Sequence, residues 1–282
     1  LEIPVEKLAV TVFAGDDDAE KDEESADKWR QLGIPEERIK YLGKEDNWWP
    51  TSRRDPVTGE LKNAFGPCGP DTEMFYFIGE GDPDEFDSED KNWVEIWNDV
   101  FMQFNRKDDG SLEDLPQQNV DTGNGLERTL AVINGKDNDY ETDLWLPIIQ
   151  EIKKSKNNYS ERSLRIIADH LRAVTFLLGE KVSADPQDNR GSVVRRLIRN
   201  FTRDSLQPGE KSLEDEIVLK SLQVIVNNYG ETYPELRTNK EYIFKTVQES
   251  INAVKVGISD KIKANLINEF QNDQSVRANS SG

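Results

Sequence analysis

The strongest chemical signal in the sequence is the string Val-Asp-Thr-Gly-Asn-Gly-Leu-Glu-Arg at residues 120–128. Its glycines, Gly123 and Gly125, allow the backbone to approach a ligand closely or to adopt a positive φ. Arg128 follows in the predicted first turn of a helix, where a guanidinium can bind a phosphate through two hydrogen bonds. Asp121, at the end of a predicted strand, could bind an ammonium group. A tight turn followed by a helix cap would give the same string, so both interpretations stay open.

A second candidate site lies on the aromatic segment 93–105, which carries polar residues among apolar ones. A polar side chain on a strand that is covered on both faces needs a hydrogen-bond partner. A small polar ligand would supply such a partner to Asn98. A half-exposed strand would explain the same pattern without any ligand.

A third candidate is the segment 65–73, where two Gly-Pro steps predict a rigid double turn before Glu73. Glu73 would open the next strand and could accept a hydrogen bond from an amino group such as that of adenine. Turn chemistry alone is the alternative. Cys68 has no His, Lys or Arg beside it in the sequence, so we assign it no role as a nucleophile.

A fourth candidate is a helix that could contact a polyanion. Four arginines lie on the face opposite an apolar stripe: Arg195, Arg196, Arg199 and Arg203. Asn189, at the start of this helix, could cap it or reach a base edge while the arginines bind phosphates. The chain has a net charge of −19, yet residues 153–203 carry more basic than acidic side chains. Such a basic region favours polyanion binding, although a solvated helix pair would look the same.

Histidine and cysteine are almost absent, because the chain contains only His170 and Cys68. A metal site built from several His and Cys ligands is therefore excluded, and we expect no zinc site. His170 could act as an acid or base, but its place beside an apolar helical stripe favours a structural hydrogen bond. The single cysteine predicts a cytoplasmic protein. No run of about 18 apolar residues occurs, so we expect no membrane span.

The elements that would position these residues change from strands to helices along the chain. Strands are predicted at 8–13, 73–78, 93–104 and a segment ending at 120. Short helices are predicted around Trp29 and from Leu126 onward. After Tyr140, apolar residues recur at intervals of three and four, which is typical of amphipathic helices. This order predicts an α+β fold in which a mostly antiparallel sheet is followed by helices.

Taken together, the strings resemble the alanyl-tRNA synthetases. The matching stretches are 66–70, Thr72-Glu73, 95–98, 100–105, 120–123, 125–128, 168–172, 189–191 and Arg195-Arg196. The resemblance covers roughly residues 1–240. It implies the C-terminal part of a class II catalytic domain at 1–155 and a helical tRNA-recognition region at 156–270, and we predict a disordered tail at 271–282.

The same resemblance implies the reaction and its site residues. A class II site activates alanine with ATP and Mg²⁺, then transfers it to the 3′ end of tRNA(Ala). The catalytic residues would be Arg128 and Asp121. ATP would contact Trp49, Glu73, Gly125 and Arg128. Alanine would contact Trp49, Asn98, Val100, Asp121 and Gly123. The tRNA acceptor stem would contact Asn189, Arg190, Arg195, Arg196 and Arg199.

Within this resemblance, Arg128 would bind the γ-phosphate and Asp121 the alanine ammonium group. Val100 would line the pocket for the substrate methyl group, and Asn189 would recognise a G–U wobble pair. Two positions depart from the family pattern. Asp71 stands where the family often has a second cysteine, and Asn124 stands where it often has methionine.

The family's first two class-defining motifs would lie before Leu1, and its editing domain would lie after the end of this sequence. We therefore expect a fragment or one subunit of a split alanine–tRNA ligase, with a separate N-terminal synthetase segment as a further partner. The alternative is a non-catalytic RNA-binding or adaptor protein derived from a synthetase. Retention of Asp121, Gly125 and Arg128 argues against that alternative.

Overall fold

The computed structural model describes residues 3–49, 53–54, 61–62, 65–81, 83, 85–184, 189–204 and 209–257. The chain divides into two compact units, Leu1–Thr142 and Asp143–Gly282. The predicted tail at 271–282, and most of the predicted loop after Trp49, lie outside the described residues. The predicted functional boundary after residue 155 stays a prediction.

The first unit is built on a six-stranded sheet whose main path has the order β2-β1-β6-β7-β8, with β3 paired to β6. Its strands are β1 Leu8–Phe13, β2 Ile39–Leu42, β3 Trp48–Trp49, β6 Gly66–Phe77, β7 Trp93–Arg106 and β8 Leu112–Asn124. A separate two-stranded pair consists of β4 Arg53–Arg54 and β5 Leu61–Lys62. Among the described strands, β1 and β2 pair in parallel and the other pairs are antiparallel. The predicted mostly antiparallel sheet is therefore confirmed.

Strand β1 is buried because both of its faces are covered. On one face, Val10 and Val12 pack against Ala26 of helix α1, Glu23–Gln31. On the other face, Ala9 joins a cluster of aromatic residues from β6, β7 and the loop between them. Burial on both sides explains why this strand is largely apolar and rich in β-branched residues, as its sequence predicts.

The Gly-Pro segment at 66–70 is not the double turn that we predicted. It forms the first part of β6, which pairs with β7 across a register shift between Cys68 and Asp71. A Cβ atom at Gly69 would lie 1.8 Å from the Phe101 carbonyl oxygen, so only glycine allows the two strands to approach there. Glycine and proline in this segment thus mark a β-bulge rather than a loop.

Strand β8 also differs from its prediction, because it continues beyond Val120 to Asn124. Helix α2, Leu126–Ile133, begins one residue after Gly125. Its predicted first residue is therefore confirmed. The turn between β8 and α2 is held to β7 by the amide of Gly125, which donates to the Ile96 carbonyl at 2.9 Å.

The second unit is helical. Its helices are α3 Leu146–Ile152, α4 Glu161–Gly179, α5 Asn189–Arg199, α6 Asp215–Tyr229, α7 Pro234–Thr238 and α8 at 240–257. A π-helical turn, Asn200–Asp204, follows α5 directly. The predicted apolar stripe of α4 is buried along its length, at Leu164, Ile167, Leu171, Val174 and Leu178. No described helix is long and apolar enough to cross a membrane.

The lone histidine has a structural position in this unit. The Nδ1 atom of His170 lies 2.8 Å from the Ile166 carbonyl oxygen, so this nitrogen carries the proton. Its Nε2 atom then accepts a hydrogen bond from the Asn200 side chain at 3.3 Å, within the π-helical turn. The structural hydrogen bond predicted for His170 is confirmed.

Candidate active site on one face of the sheet

The register of the sheet aligns most of the predicted ligand-binding residues on one face. Glu73 of β6 pairs with Asn98 of β7, which pairs with Gly123 of β8. One step along the strands, Val100 of β7 pairs with Asp121 of β8. Paired residues and residues two apart project to the same side of a sheet. Three strands that are far apart in the sequence therefore place these side chains within reach of one small ligand.

The two rows continue into residues that we did not single out as ligand-binding. Asp71 completes the row of Val100 and Asp121, because it pairs with Val100 across β6 and β7. Thr11 completes the row of Glu73 and Asn98, because it pairs with Glu73 across β1 and β6. The face thus presents two carboxylates from β6 beside the predicted amino-acid contacts.

A chain of hydrogen bonds joins five side chains at this site. Asn47 Nδ2 donates to Thr11 Oγ1 at 2.8 Å and to Asp71 Oδ1 at 2.9 Å. Thr11 Oγ1 donates to Glu73 Oε2 at 3.3 Å, and Asn98 Nδ2 donates to Glu73 Oε1 at 3.4 Å. At the other end of the chain, Asn98 also lowers the pKa of the neighbouring Asp71 carboxyl. The hydrogen bonds fix these side chains relative to one another.

The two β6 carboxyl groups are less acidic than usual. Burial raises the pKa of Asp71 to about 6, and the hydrogen bonds from Asn47 and Asn98 only partly oppose this effect. Burial also raises the pKa of Glu73 to about 7, with repulsion from Glu95 and Asp71 as further causes. Both groups favour the protonated form more than an exposed carboxyl does, and a nearby cation would reverse that preference.

Two buried acceptor atoms at this site have no hydrogen-bond partner among the described residues. They are the side-chain oxygens of Asn47 and Asn98. Together with the Asp71 and Glu73 carboxyls, they make this part of the face rich in acceptors and poor in donors. A buried acceptor without a partner is destabilising by about 1–3 kcal/mol. A ligand that carries donors, such as an ammonium group, matches this composition.

At the sheet edge, the predicted ammonium ligand and its neighbours differ in exposure. Asp121 and Gly123 of β8 are exposed, whereas Val100 on the adjacent strand is buried. Gly123 does not adopt a positive φ. A Cβ atom there would have the Asn98 carbonyl oxygen at 3.9 Å as its one close neighbour. Gly123 therefore leaves space beside Asp121, which a small ligand could fill.

Arg128 lies beside this face because its side chain folds back from α2 to β7. Its Nη1 atom donates to the Glu95 carboxylate at 2.8 Å and to the Glu95 carbonyl oxygen at 3.0 Å. A Cβ atom at Gly125 would lie 3.4 Å from the Arg128 side chain, so glycine gives this arginine room. Gly125 has a negative φ of −73°. Close packing, and not a positive φ, is therefore its structural role.

The adjacent tryptophans of β3 have different environments. Trp48 is 2% exposed and packs between Phe13 and Phe104, with ring centroids at 5.2 and 6.0 Å. Trp49 is 45% exposed and pairs with Gly69 of β6. Trp48 is thus part of the core. Trp49 is the tryptophan with surface left for a ligand, which supports its choice over Trp48.

The opposite face of the sheet contains a separate cavity of about 450 Å³ between α1, β7 and β8. Asp99 and Phe101 line it, and these residues alternate along β7 with Asn98 and Val100. None of the predicted ligand-binding residues lines this cavity. Cys68 is fully buried, and burial raises the pKa of its thiol, so its surroundings do not favour a nucleophile.

The predicted nucleic-acid surface lies on α5 in the second unit. Asn189, Arg190, Arg196 and Arg199 are exposed there. Arg195 is half-buried, and its Nη1 atom donates to the Ala184 carbonyl oxygen at 2.7 Å. Val194 and Ile198 bury the other side of the helix. The four exposed side chains thus reach solvent on this helix, whereas Arg195 also holds the chain before α5.

The site as a whole can bind charged groups but offers no nucleophile. Asp121 and the acceptors of β6 and β7 suit a cationic group, while Arg128 suits an anionic one. No group of three or more His, Cys, Asp or Glu side chains able to hold a metal ion occurs in the described part of the chain. Such a site can orient two oppositely charged substrate groups and stabilise charge during their reaction.

Comparison with known proteins identifies the relatives of this chain. The family model described as tRNA synthetases class II (A) matches residues 1–256. An alanine–tRNA ligase from Treponema denticola is 40% identical over 253 residues, which cover 86% of this chain and 40% of that protein. The alanine–tRNA ligase from Treponema pallidum is 39% identical over 247 residues, covering 84% and 38%. The one from Anaeromyxobacter dehalogenans is 38% identical over 265 residues, covering 88% and 28%. The chain thus spans two fifths or less of the length of these relatives.

Proposed function

The chain belongs to the class II (A) tRNA synthetase family, and we propose that it is a catalytic part of an alanine–tRNA ligase. The observation that carries this proposal is the pair of rows on the sheet face. They bring Asn98, Val100, Asp121 and Gly123 together. The proposed reaction joins alanine to ATP to form alanyl-adenylate and pyrophosphate, and then transfers alanine to the 3′ end of tRNA(Ala).

In the proposed first step, the residues of this chain bind and orient the two substrates. Asp121 binds the alanine ammonium group, and Val100 limits the space beside its methyl group. Arg128, held by Glu95, binds the terminal phosphate of ATP, and Trp49 and Glu73 lie near the nucleotide. The alanine carboxylate then attacks the α-phosphorus of ATP, and pyrophosphate leaves. No protein nucleophile is needed, because the substrate supplies it.

Magnesium would enter this reaction with ATP. The described residues contain no cluster of three or more metal-ligating side chains, so we assign Mg²⁺ no protein ligand and expect the phosphates to hold it. Its chemistry would be the neutralisation of phosphate charge.

The proposed second substrate is the tRNA(Ala) acceptor stem, bound by the exposed residues of α5. Asn189 would recognise the G–U wobble pair, while Arg190, Arg195, Arg196 and Arg199 would contact phosphates. The exposure of four of these five side chains supports the proposal. A separate N-terminal synthetase segment is a further proposed partner, because the match covers only two fifths or less of the length of the relatives. A cytoplasmic location belongs to the same proposal.

The ammonium-binding role of Asp121 gives the sharpest test of the proposed function. We expect Asp121→Ala to weaken alanine binding by about tenfold or more, since it removes a charge-assisted hydrogen bond, while ATP binding changes by less than about twofold. Isothermal titration calorimetry with each substrate measures both affinities. The matched control is Asp99→Ala, which removes an aspartate from the opposite face. Equal losses for alanine and ATP would contradict the assignment.

A further inference from the structure

The amide of Asn98 is held in one orientation by its neighbours on β6. Its nitrogen donates to Glu73 Oε1 at 3.4 Å, and its amide lowers the pKa of the neighbouring Asp71 carboxyl, which lies on the same face of β6. A carboxylate can only accept hydrogen bonds, whereas an amide has donors at one end and an acceptor at the other. Two carboxylates on one side therefore require that the nitrogen of Asn98 face β6 and that its oxygen face away from them.

The oxygen of Asn98 is the atom that the protein leaves without a partner. It is buried and has no hydrogen-bond partner within the described part of the chain. The strand on the other side of Asn98 is β8, where Gly123 lies directly opposite and Asp121 lies two residues earlier. The amide thus carries its unused acceptor at the end away from β6, next to the predicted ammonium ligand.

Asp71 is anchored more firmly than Glu73. It is 3% exposed, and Asn47, which is fully buried, donates to its carboxylate at 2.9 Å. The backbone amide of Asp71 also donates to the Asn47 carbonyl oxygen at 3.2 Å. These contacts fix the Asp71 carboxylate where the amide of Asn98 meets it. Asp71 itself lies two strands away from Asp121, so it acts on a ligand there through Asn98.

We propose that Asp71 is a positioning residue for the amino-acid substrate: its ionised carboxylate keeps the Asn98 oxygen free to accept a hydrogen bond from the substrate ammonium group. This inference rests on the proposed function. If Asp71 carries a donor instead, that donor can bond to the Asn98 oxygen and stabilise the reversed amide. The Asn98 nitrogen would then face the ammonium group. Both groups are hydrogen-bond donors, so no hydrogen bond could form between them. Because this oxygen is buried in the structure, the atoms that cover it must move when an ammonium group binds there.

Protonation of Asp71 supplies such a donor, so the role depends on pH. The charged groups that act on Asp71 are carboxylates: Glu73 on its own strand, Glu95 on β7 and Asp46 beside β3. Arg128 pairs with Glu95 and partly offsets its charge. Burial and these neighbours give Asp71 a pKa of about 6. Its carboxylate is therefore mostly ionised at pH 8 and mostly protonated at pH 5.

The test is calorimetric titration of the full chain with L-alanine between pH 8 and pH 5. In the unsubstituted protein, alanine affinity falls as the pH drops from 8 to 5, through the pKa values of Glu73 at about 7 and Asp71 at about 6. In Asp71→Asn, which keeps the shape but adds a donor, affinity at pH 8 is already lower by about tenfold or more, as for loss of one charge-assisted hydrogen bond. Its remaining pH dependence is smaller, and its ATP affinity is unchanged within about twofold.

Asp99→Asn is the matched control, because it makes the same change on the opposite face of β7 and leaves alanine affinity unchanged. Alanine affinity in Asp71→Asn equal to that of the unsubstituted protein at pH 8 overturns the positioning role alone. An unsubstituted protein that is folded but binds no alanine at any pH overturns the proposed function, and this inference with it. A parallel loss of ATP affinity in Asp71→Asn indicates a general structural role and also overturns the inference.

Discussion

For Asp71 and Glu73, folding favours the protonated carboxyl group, whereas the proposed site uses the ionised carboxylate. Both carboxyl groups are buried, and their raised pKa values mean that the folded protein binds protons more tightly than the unfolded chain does. Proton binding by these two carboxyl groups stabilises the folded protein below about pH 4. This stabilisation is lost as the pH rises through about 6 for Asp71 and about 7 for Glu73. Their ionised forms therefore destabilise the first unit at neutral pH.

We expect Asp71→Asn to raise the thermal stability of the protein at pH 8. The substitution removes a buried charge whose pKa is displaced from 3.8 to about 6, a difference worth on the order of 3 kcal/mol. At pH 4 the gain should largely vanish, because Asp71 is then protonated in the folded state. Thermal melts at both pH values, with Asp99→Asn as the control, measure this. A stabilisation that is equal at pH 4 and pH 8 would contradict the account.

At the scale of single residues, Asn98 and Asp121 were singled out by their residue types, whereas Val100 entered only through the family resemblance. Asn98, Val100 and Asp121 lie on two strands, and their meeting depends on a register that local sequence does not specify. From the sequence, Asp71 was noted only as a departure from the family pattern, and Thr11 and Asn47 were given no role at the site. Their hydrogen bonds arise from contacts between segments that are distant in the sequence, so no local pattern could reveal them.

Among the elements, β6 determines whether the site forms, because it joins β1, β3 and β7. At the bulge, Gly69 lies close to the Phe101 backbone of β7. Beyond the bulge, the register places Asp71 and Glu73 on the face that forms the site. The sequence predicted a turn here, since Gly and Pro are usually signals for turns. A glycine that marks close strand approach cannot be told from a turn glycine without the partner strand.

We expect Gly69→Ala to destabilise the protein strongly. The added Cβ atom would lie 1.8 Å from the Phe101 carbonyl oxygen, a backbone atom that can move only if β6 and β7 separate. A loss on the order of 3–5 kcal/mol in the free energy of unfolding is expected, as for severe overpacking. Chemical denaturation measures this loss. Gly43→Ala is the control, because its Cβ atom would meet no atom within 4 Å. Similar stabilities for the two variants would rule out this role of the bulge.

Helix α5 carries the prediction about RNA selectivity. We expect Asn189→Ala to reduce discrimination between acceptor stems with a G–U and a G–C pair by about tenfold, since it removes an amide that can bond to a base edge. Adenylate formation should be unaffected. Arg196→Ala is the comparison, because losing a phosphate contact should weaken both stems equally and reduce the salt dependence. Aminoacylation of the two stems measures the ratio, and an unchanged ratio would remove Asn189 from recognition.

At the scale of the whole molecule, the order of elements was the most predictable property. The change from a mostly antiparallel sheet to helices follows from periodicity, and strand β1 and the buried stripe of α4 match their sequence patterns. The two units that the structure separates agree with that change in character. The relatives are more than twice the length of the matched region. The activity of the whole enzyme is therefore a proposal for this chain.

The most direct test of the central claim is alanine-dependent exchange between ATP and pyrophosphate. It should be measured with this chain alone and then with a synthetase N-terminal segment added. We predict exchange when the two are mixed, with loss of the alanine dependence in Asp121→Ala and retention in Asp99→Ala. No exchange in either case, with the chain shown to be folded, would contradict the account and favour a non-catalytic RNA-binding protein.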